Sequence, residues 1–567
     1  MTKRLYQAFS LLVCLIFASN VDAQGLLQGS EIHGNTQVDG QLYLKDKNIG
    51  LDTIANGRSF GLNGYTDLTY TYKNFSAGAR FEAYLPPISG FKEEYNGSGV
   101  PYKWAKYTID ELEITAGNFY EQFGSGLVLR TYQEWNLGLD NSLDGARVVV
   151  RPLQGVKLTG VYGTQRRYWV SYKDDKKRGI VKGVDGEIDV FQLLQKQSDL
   201  NVIVGGSFVS KYQNFPDNIY KIPYNVGAAA GRLNLTYKGW DLYSEYAWKS
   251  QDPNALNNLV YRNGQALYST LSYAGNGLGM LLQFKRLDNF SFKSDRSATG
   301  EVLDMNYLPA LTTQQSYALA SFFPYATQPN GEIGFSAQLN YKFKRKSLLG
   351  GKYGTSISLE YAQVNDIEKT QLDSNTPIDK RGTDGYNSDF FAFGDMLYRT
   401  ASLEINKKLS RKLSAIFTYL YVQDQISIVE DHPGEPKVEQ HVMVLDVTHK
   451  LKNRKSIHWE LQGAFVNNGE IDHPDRAFQG RRGNWIGGLL EYNMKNFFIS
   501  AMDQWNYDNT VSDYQNHYYN FSAGYRKNTS RISLSYGRQR EGILCIGGVC
   551  RQVPAASGFT LSITTSF

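Results

Sequence analysis

The chain has 567 residues, 41% hydrophobic, 20% charged and 14% aromatic, with 54 Gly, 15 Pro, 40 Tyr and a formal net charge of +5. It is too apolar and aromatic to be disordered, lacks the Gly-X-Y period of collagen, and with three Cys is no disulfide scaffold. Its near-balanced charge, without a basic block, excludes a nucleic-acid partner, and the excess of Tyr over charge points away from a string of soluble domains.

At the N-terminus, Lys3 and Arg4 precede the apolar run Ala8 to Ala18, and Val21-Asp22-Ala23 places small residues before Gln24. This reads as a cleaved secretory signal over residues 1–23, too short to span a bilayer. Residues 24–567 are then expected to form a single domain. No later stretch approaches the ~20 apolar residues of a membrane helix. Alternation takes its place. Phe75, Ala77, Ala79, Phe81, Ala83 and Leu85 are apolar at every second position, and the pattern returns at Ile333 to Phe343, Ile357 to Tyr361, Ile457 to Phe465, Tyr519 to Tyr525 and Ile532 to Tyr536. Period two means strands with two unlike faces. Many run past the ~5–6 residues of soluble strands toward the ~9–11 of a tilted membrane strand.

The connections alternate in length. Lys238-Gly239, Gly275-Asn276, Lys408 to Arg411, Lys452 to Arg454, Lys495 and Lys527-Asn528 are short, whereas Leu287 to Asn330, Asp424 to Gln440, Asn467 to Arg482 and Asp508 to Gln515 are long. That sorting predicts an all-β, antiparallel transmembrane barrel of roughly 22 strands (16 to 26), with short periplasmic turns and long extracellular loops. The last strand carries Phe559, Leu561, Ile563 and a terminal Phe567. It resembles the signal read by the outer-membrane barrel assembly machinery, which with the signal peptide implies the outer membrane of a Gram-negative bacterium. Lipids and lipopolysaccharide are the expected surroundings, with protein partners expected at the outer loops.

The segment Asn118 to Arg147, rich in Gly and mixed charge, is the least barrel-like. It either folds into the lumen as a constriction, with Arg130, Glu134, Trp135, Asp140, Asp144 and Arg147 as its candidates, or it is a Gly-bent strand followed by an external loop. The external loop is the simpler expectation. Cys545 and Cys550 bracket Gly547-Gly548, a hairpin spacing that opposes the two sulfurs and predicts a disulfide on the outer loop before the last strand. Through the FGSGLVLRTYQEW…LDGARV block and the C-terminal REGILCIGGVCRQVPAASGFTLSITTSF block, the chain resembles a family of Bacteroidota outer-membrane barrels of unknown function. That resemblance implies a location and a fold, but no activity.

Chemical motifs are few. Inward charges read from strand parity balance: Arg80, Arg147, Arg151, Lys157, Arg232, Lys342 and Arg526 against Glu82, Asp241, Glu245, Glu332, Glu360, Glu404, Asp446 and Glu460. Neither sign forms a selectivity ring. Asp431-His432-Pro433 and Asp472-His473-Pro474, with acids around them, could hold a divalent cation or lipopolysaccharide-bound ions, but Asx-Pro turns account for them equally well. His458 faces the lumen without a nameable partner, and no hydrolase, metalloprotease or phosphate-loop motif occurs, so no catalytic residue, metal or cofactor is expected. The expected function is a porin-like channel for small solutes. The alternative is a non-conducting structural or accessory subunit of a larger outer-membrane complex.

Overall fold

Each alternating strand presents one apolar and one mixed face, and its backbone groups need partners along both edges. A sheet closed on itself supplies them. The computed structural model describes residues 29–51, 57–169, 178–300, 302–430, 437–467 and 480–567. The expected signal peptide and both Asp-His-Pro turns lie wholly or largely outside these residues.

Twenty-four strands form one antiparallel sheet. The first, Ser30–Tyr43, pairs with both Phe60–Tyr72 and the last, Ala556–Ser566, and so closes the barrel. The count exceeds the expected 22 by two. Five strands precede Gly145: Ser30–Tyr43, Phe60–Tyr72, Phe75–Tyr84, Gly97–Thr108 and Leu112–Phe119. There Gly, Thr, Asn and Lys blur the alternation, so sequence periodicity under-reports what the ladder of hydrogen bonds assembles.

The two faces separate as the alternation requires. On Lys455–Asn467, Trp459, Leu461 and Phe465 are exposed outward, while Ala464 on the inner face is fully buried. Phe559, Leu561 and Ile563 lie on one face of the closing strand, with Phe559 and Leu561 exposed, and the Phe567 backbone exchanges two hydrogen bonds with Gly34. Short connections gather at one end, with both ends of the described chain. In the turn Lys238-Gly239 both residues have positive φ (46° and 89°), the geometry that matches the twist of a tight hairpin. The long connections gather at the other end. Loop 368–392 folds down the outside of the wall there, where Tyr386 packs with Ile333 and Ile367 and donates to Asp288 at 2.7 Å. The two largest apolar clusters lie inside the barrel, in its long-loop half.

Candidate functional site

Among the described residues, two long connections leave the long-loop end and run through the lumen. The first is residues 120–142. Its hydrophobic start, Phe123, Leu127, Val128 and Leu129, is at most 1% exposed and packs on the inward Val161, Val181, Val209 and Ala247. Burying side chains of this size is worth ~1.5–3 kcal/mol each, enough to draw the segment onto an inner wall that is itself apolar at this level. The expected external loop is therefore corrected: the strand before it ends at Phe119, and the chain runs through the lumen before rejoining the wall at Leu143. At its entry the wall carboxylate of Glu245 accepts from the Ser125 amide (2.7 Å) and hydroxyl (2.6 Å). A Cβ on the preceding Gly124, at φ +54°, would collide with that carboxylate.

Farther on, a turn at Trp135–Leu137 is capped by the Glu134 side chain, which accepts from Asn136 N at 3.1 Å. The turn presents the Trp135 ring flat against Tyr65, 3.6 Å between centroids, with the Arg80 guanidinium 4.9 Å from the same indole. Asp140 then enters a buried ion-pair network. Arg80 and Arg166 both donate to it, as do the Tyr120 hydroxyl (3.1 Å) and Ser142 N (3.0 Å). Glu82 on the wall accepts from the same two guanidiniums, at 2.8 Å from Arg80 and 2.7 Å from Arg166. Burial alone would push the Asp140 carboxyl up, but Arg166 and Arg80 hold it below the ordinary carboxylate range.

Residues 289–330 form the second insert, and they cross the lumen. Their first part packs beside the first insert: Arg130 N donates to Met305 O (2.8 Å) and Asn141 Nδ2 to Asp304 O (2.9 Å). Asp252 fastens the crossing, facing Lys211 (2.7 Å), Arg296 (3.2 Å) and Lys249 (3.9 Å). The second part reaches the opposite wall, where Leu319, Phe322, Phe323 and Tyr325 pack on Val442, Val444, Leu420 and Trp485. Leu319 N donates to Gln462 Oε1 at 3.1 Å, and the Tyr398 hydroxyl donates to Phe323 O at 2.9 Å.

The disulfide-linked hairpin Gly542–Val553 closes over both inserts. Thr327 N donates to Gly548 O at 3.1 Å, and a Cβ on Gly547 (φ +59°) would meet the Tyr307 hydroxyl. Arg551 Nε donates to Asn136 O at 2.6 Å, which ties the hairpin to the first insert. A cavity of about 280 Å³ remains between the three pieces, lined among others by Tyr132, Lys293, Tyr307, Thr327 and Cys550.

Of the sequence candidates, the structure gathers Trp135, Asp140, Glu134 and Arg130 on the first insert. The Arg130 guanidinium lies 3.9 Å from the Tyr307 ring. Arg147 faces inward and pairs with Glu113 and Glu121. Asp144 does not join them. It is exposed on the strand face opposite fully buried Leu143, because one step along a strand reverses the side. Cys545 and Cys550 stand opposite one another and are joined. Sequence reading missed Asp252, Arg166 and the whole second insert. The only signal of the second insert was the unusual length and apolar content of residues 289–330, and nothing local pointed to Asp252 or Arg166.

The description "Family of unknown function (DUF6029)" covers the match of residues 2–567. The chain belongs to that family. No curated protein matches the chain. Among solved structures, the family member is similar to the P pilus usher (PapC) translocation pore, with 8% identity over 94% of this chain and 99% of that one and a TM-score of 0.42. It is also similar to the siderophore receptor PirA from Pseudomonas aeruginosa, at 11% identity over 95% of this chain and 80% of that one, TM-score 0.39. The copper transporter OprC aligns at 11% identity over 95% and 81%, TM-score 0.37.

Proposed function

We propose that this protein is an outer-membrane barrel of the channel or transporter kind, whose small-solute passage is held closed at rest by its own two inserts. Its outward apolar belt suits lipid, and a closed sheet leaves no backbone group unpaired there. In this reading the short turns face the periplasm and the long loops face outward among lipopolysaccharide. Residues 1–23 export the chain, and the assembly machinery reads Phe559, Leu561, Ile563 and Phe567. The observation that carries the closed state is the second insert: it runs from a wall strand ending at Asp288 to contacts with Gln462 and Trp485 across the lumen. The barrel's size alone would have made an open pore.

The filled lumen also favours a second reading, the non-conducting accessory subunit. Planar-bilayer recordings separate the two. The native chain is expected to show rare, brief openings, and a variant with residues 312–324 replaced by a Gly-Ser linker is expected to show stable ohmic steps. Large persistent conductance from the native chain would overturn the closed-at-rest reading. Silence from both, in samples that migrate as folded barrels, would favour the accessory subunit. Recovery of a stable heteromeric complex in mild detergent would then support it.

A further inference from the structure

Below the inserts, toward the short-turn end, the inner wall changes character. Asp446 on Val438–Lys450 and His458 and Glu460 on Lys455–Asn467 share the inward face, opposite exposed Leu445, Trp459 and Leu461. His458 Nε2 lies 2.9 Å from Asp446 Oδ1 and 3.5 Å from Glu460 Oε1. One ligand atom from each of the three falls within a 4.8 Å set. The side chains are only 15%, 22% and 14% exposed, in residue order.

Their surroundings are short of positive charge. Glu360, Glu404 and Glu491 face the same space from neighbouring strands. Among the described residues no Lys or Arg pairs with any of these five carboxylates. Several other inward acids hold cations: Glu82 holds Arg80 and Arg166, Asp185 holds Arg232, and Glu332 holds Lys285. The acids here are met instead by neutral groups: Glu460 accepts from Gln462 (2.9 Å), Glu491 from Asn493 (2.7 Å) and Glu360 from Ser402 (3.4 Å). The Tyr317 hydroxyl of the second insert donates to Asp446 at 3.3 Å. A separate observation points the same way. Thr418, inward and directly opposite Glu404 in the strand register, is 6% exposed, and its hydroxyl has no hydrogen-bond partner. A buried hydroxyl without a protein partner beside acids that no Lys or Arg meets is consistent with a hydrated or coordinated ion in this space.

One imidazole with two carboxylates is a nitrogen–oxygen donor set suited to a borderline divalent cation. Zinc bonds of ~2.0–2.2 Å in a tetrahedral site place donors ~3.3–3.6 Å apart, close to the 2.9 Å and 3.5 Å separations observed. We propose that Asp446, His458 and Glu460 bind one first-row divalent cation of the zinc class on the short-turn side of the inserts. The fourth position opens to the acidic wall, and Tyr317 joins the site to the second insert. The sequence alone gave no reason to expect a metal, because the three ligands alternate with lipid-facing residues and come from two strands. The site does not depend on whether the barrel conducts.

The test is isothermal titration of the untagged, detergent-folded full chain with zinc chloride and, separately, manganese chloride. A single saturable zinc site is expected, with manganese weaker. His458→Ala and the shape-preserving Glu460→Gln should each weaken zinc binding at least tenfold. Glu187→Gln, an inward acid already paired with Lys157 and Arg232, should stay within twofold of the native chain. Heat-modifiable migration verifies that each variant is a folded barrel. Absence of a saturable zinc site, or native-like zinc affinity in both folded site variants, would overturn the proposal. Tighter manganese than zinc binding would overturn the zinc-class assignment.

Discussion

The first insert is held by charge as well as by packing, and Asp140→Asn isolates the charge. The substitution keeps the shape and removes one of the two buried carboxylates that each meet both Arg80 and Arg166, in a network whose side chains are at most 5% exposed. Breaking a buried pair by removing one partner costs ~3–5 kcal/mol, mostly through the uncompensated charge left behind. Glu82 still contacts both guanidiniums, so the lower end applies. About 3 kcal/mol corresponds to a shift of about 150-fold toward release of the insert. Hydrogen exchange reads this locally. Amides of residues 120–142 should exchange on the order of a hundredfold faster, while those of Val438–Lys450, remote from the network, stay unchanged. Less than a threefold change in the insert would refute the claim that this network holds it. Equal acceleration in every strand would refute the claim that the insert opens separately from the barrel.

Acid should act at the same place. Because the Asp140 carboxyl is held below its ordinary range, its contribution is present above the unfolded value near pH ~4 and is lost as pH falls through the lower, folded value; limited proteolysis at residues 120–142 should therefore rise below about pH 4 in the native chain and not in Asp140→Asn. Replacing Cys545 and Cys550 together by Ser removes a short cross-link, their separation being five residues, worth ~2 kcal/mol by loop-closure entropy. Protease should then cut within Gly542–Val553 while the barrel keeps its heat-modifiable migration; resistance equal to the native chain would mean that docking on Tyr307 and Thr327 suffices. Deleting Phe567 is expected to lower the folded barrel recovered from outer membranes at least fivefold yet leave refolding into detergent intact, and an unchanged membrane yield would exclude an assembly role for this residue.

Much of the wall was legible in the sequence because a strand's two faces are written residue by residue. The alternation at Ile457 to Phe465 names both the outward Trp459 and the inward His458, and the Gly-Gly spacing names the Cys545–Cys550 pair. The shortest turns, such as Lys238-Gly239 and Lys527-Asn528, were legible as sharing one end. What periodicity could not tell was the fate of residues 120–142 and 289–330. An apolar, irregular segment looks the same whether it lies outside or within, and its burial depends on what faces it across the lumen. Besides its neighbour Lys249, Asp252 meets Lys211 and Arg296 from two distant chain segments, and no local pattern encodes that meeting. The same holds for Asp446, His458 and Glu460, which parity had placed on one face without revealing their contact. By itself the sequence determined strands with one apolar and one mixed face, since that follows from local alternation. Tertiary structure alone decided that the lumen is filled, because filling it is a matter of long-range apolar contact and charge compensation between segments far apart in the chain.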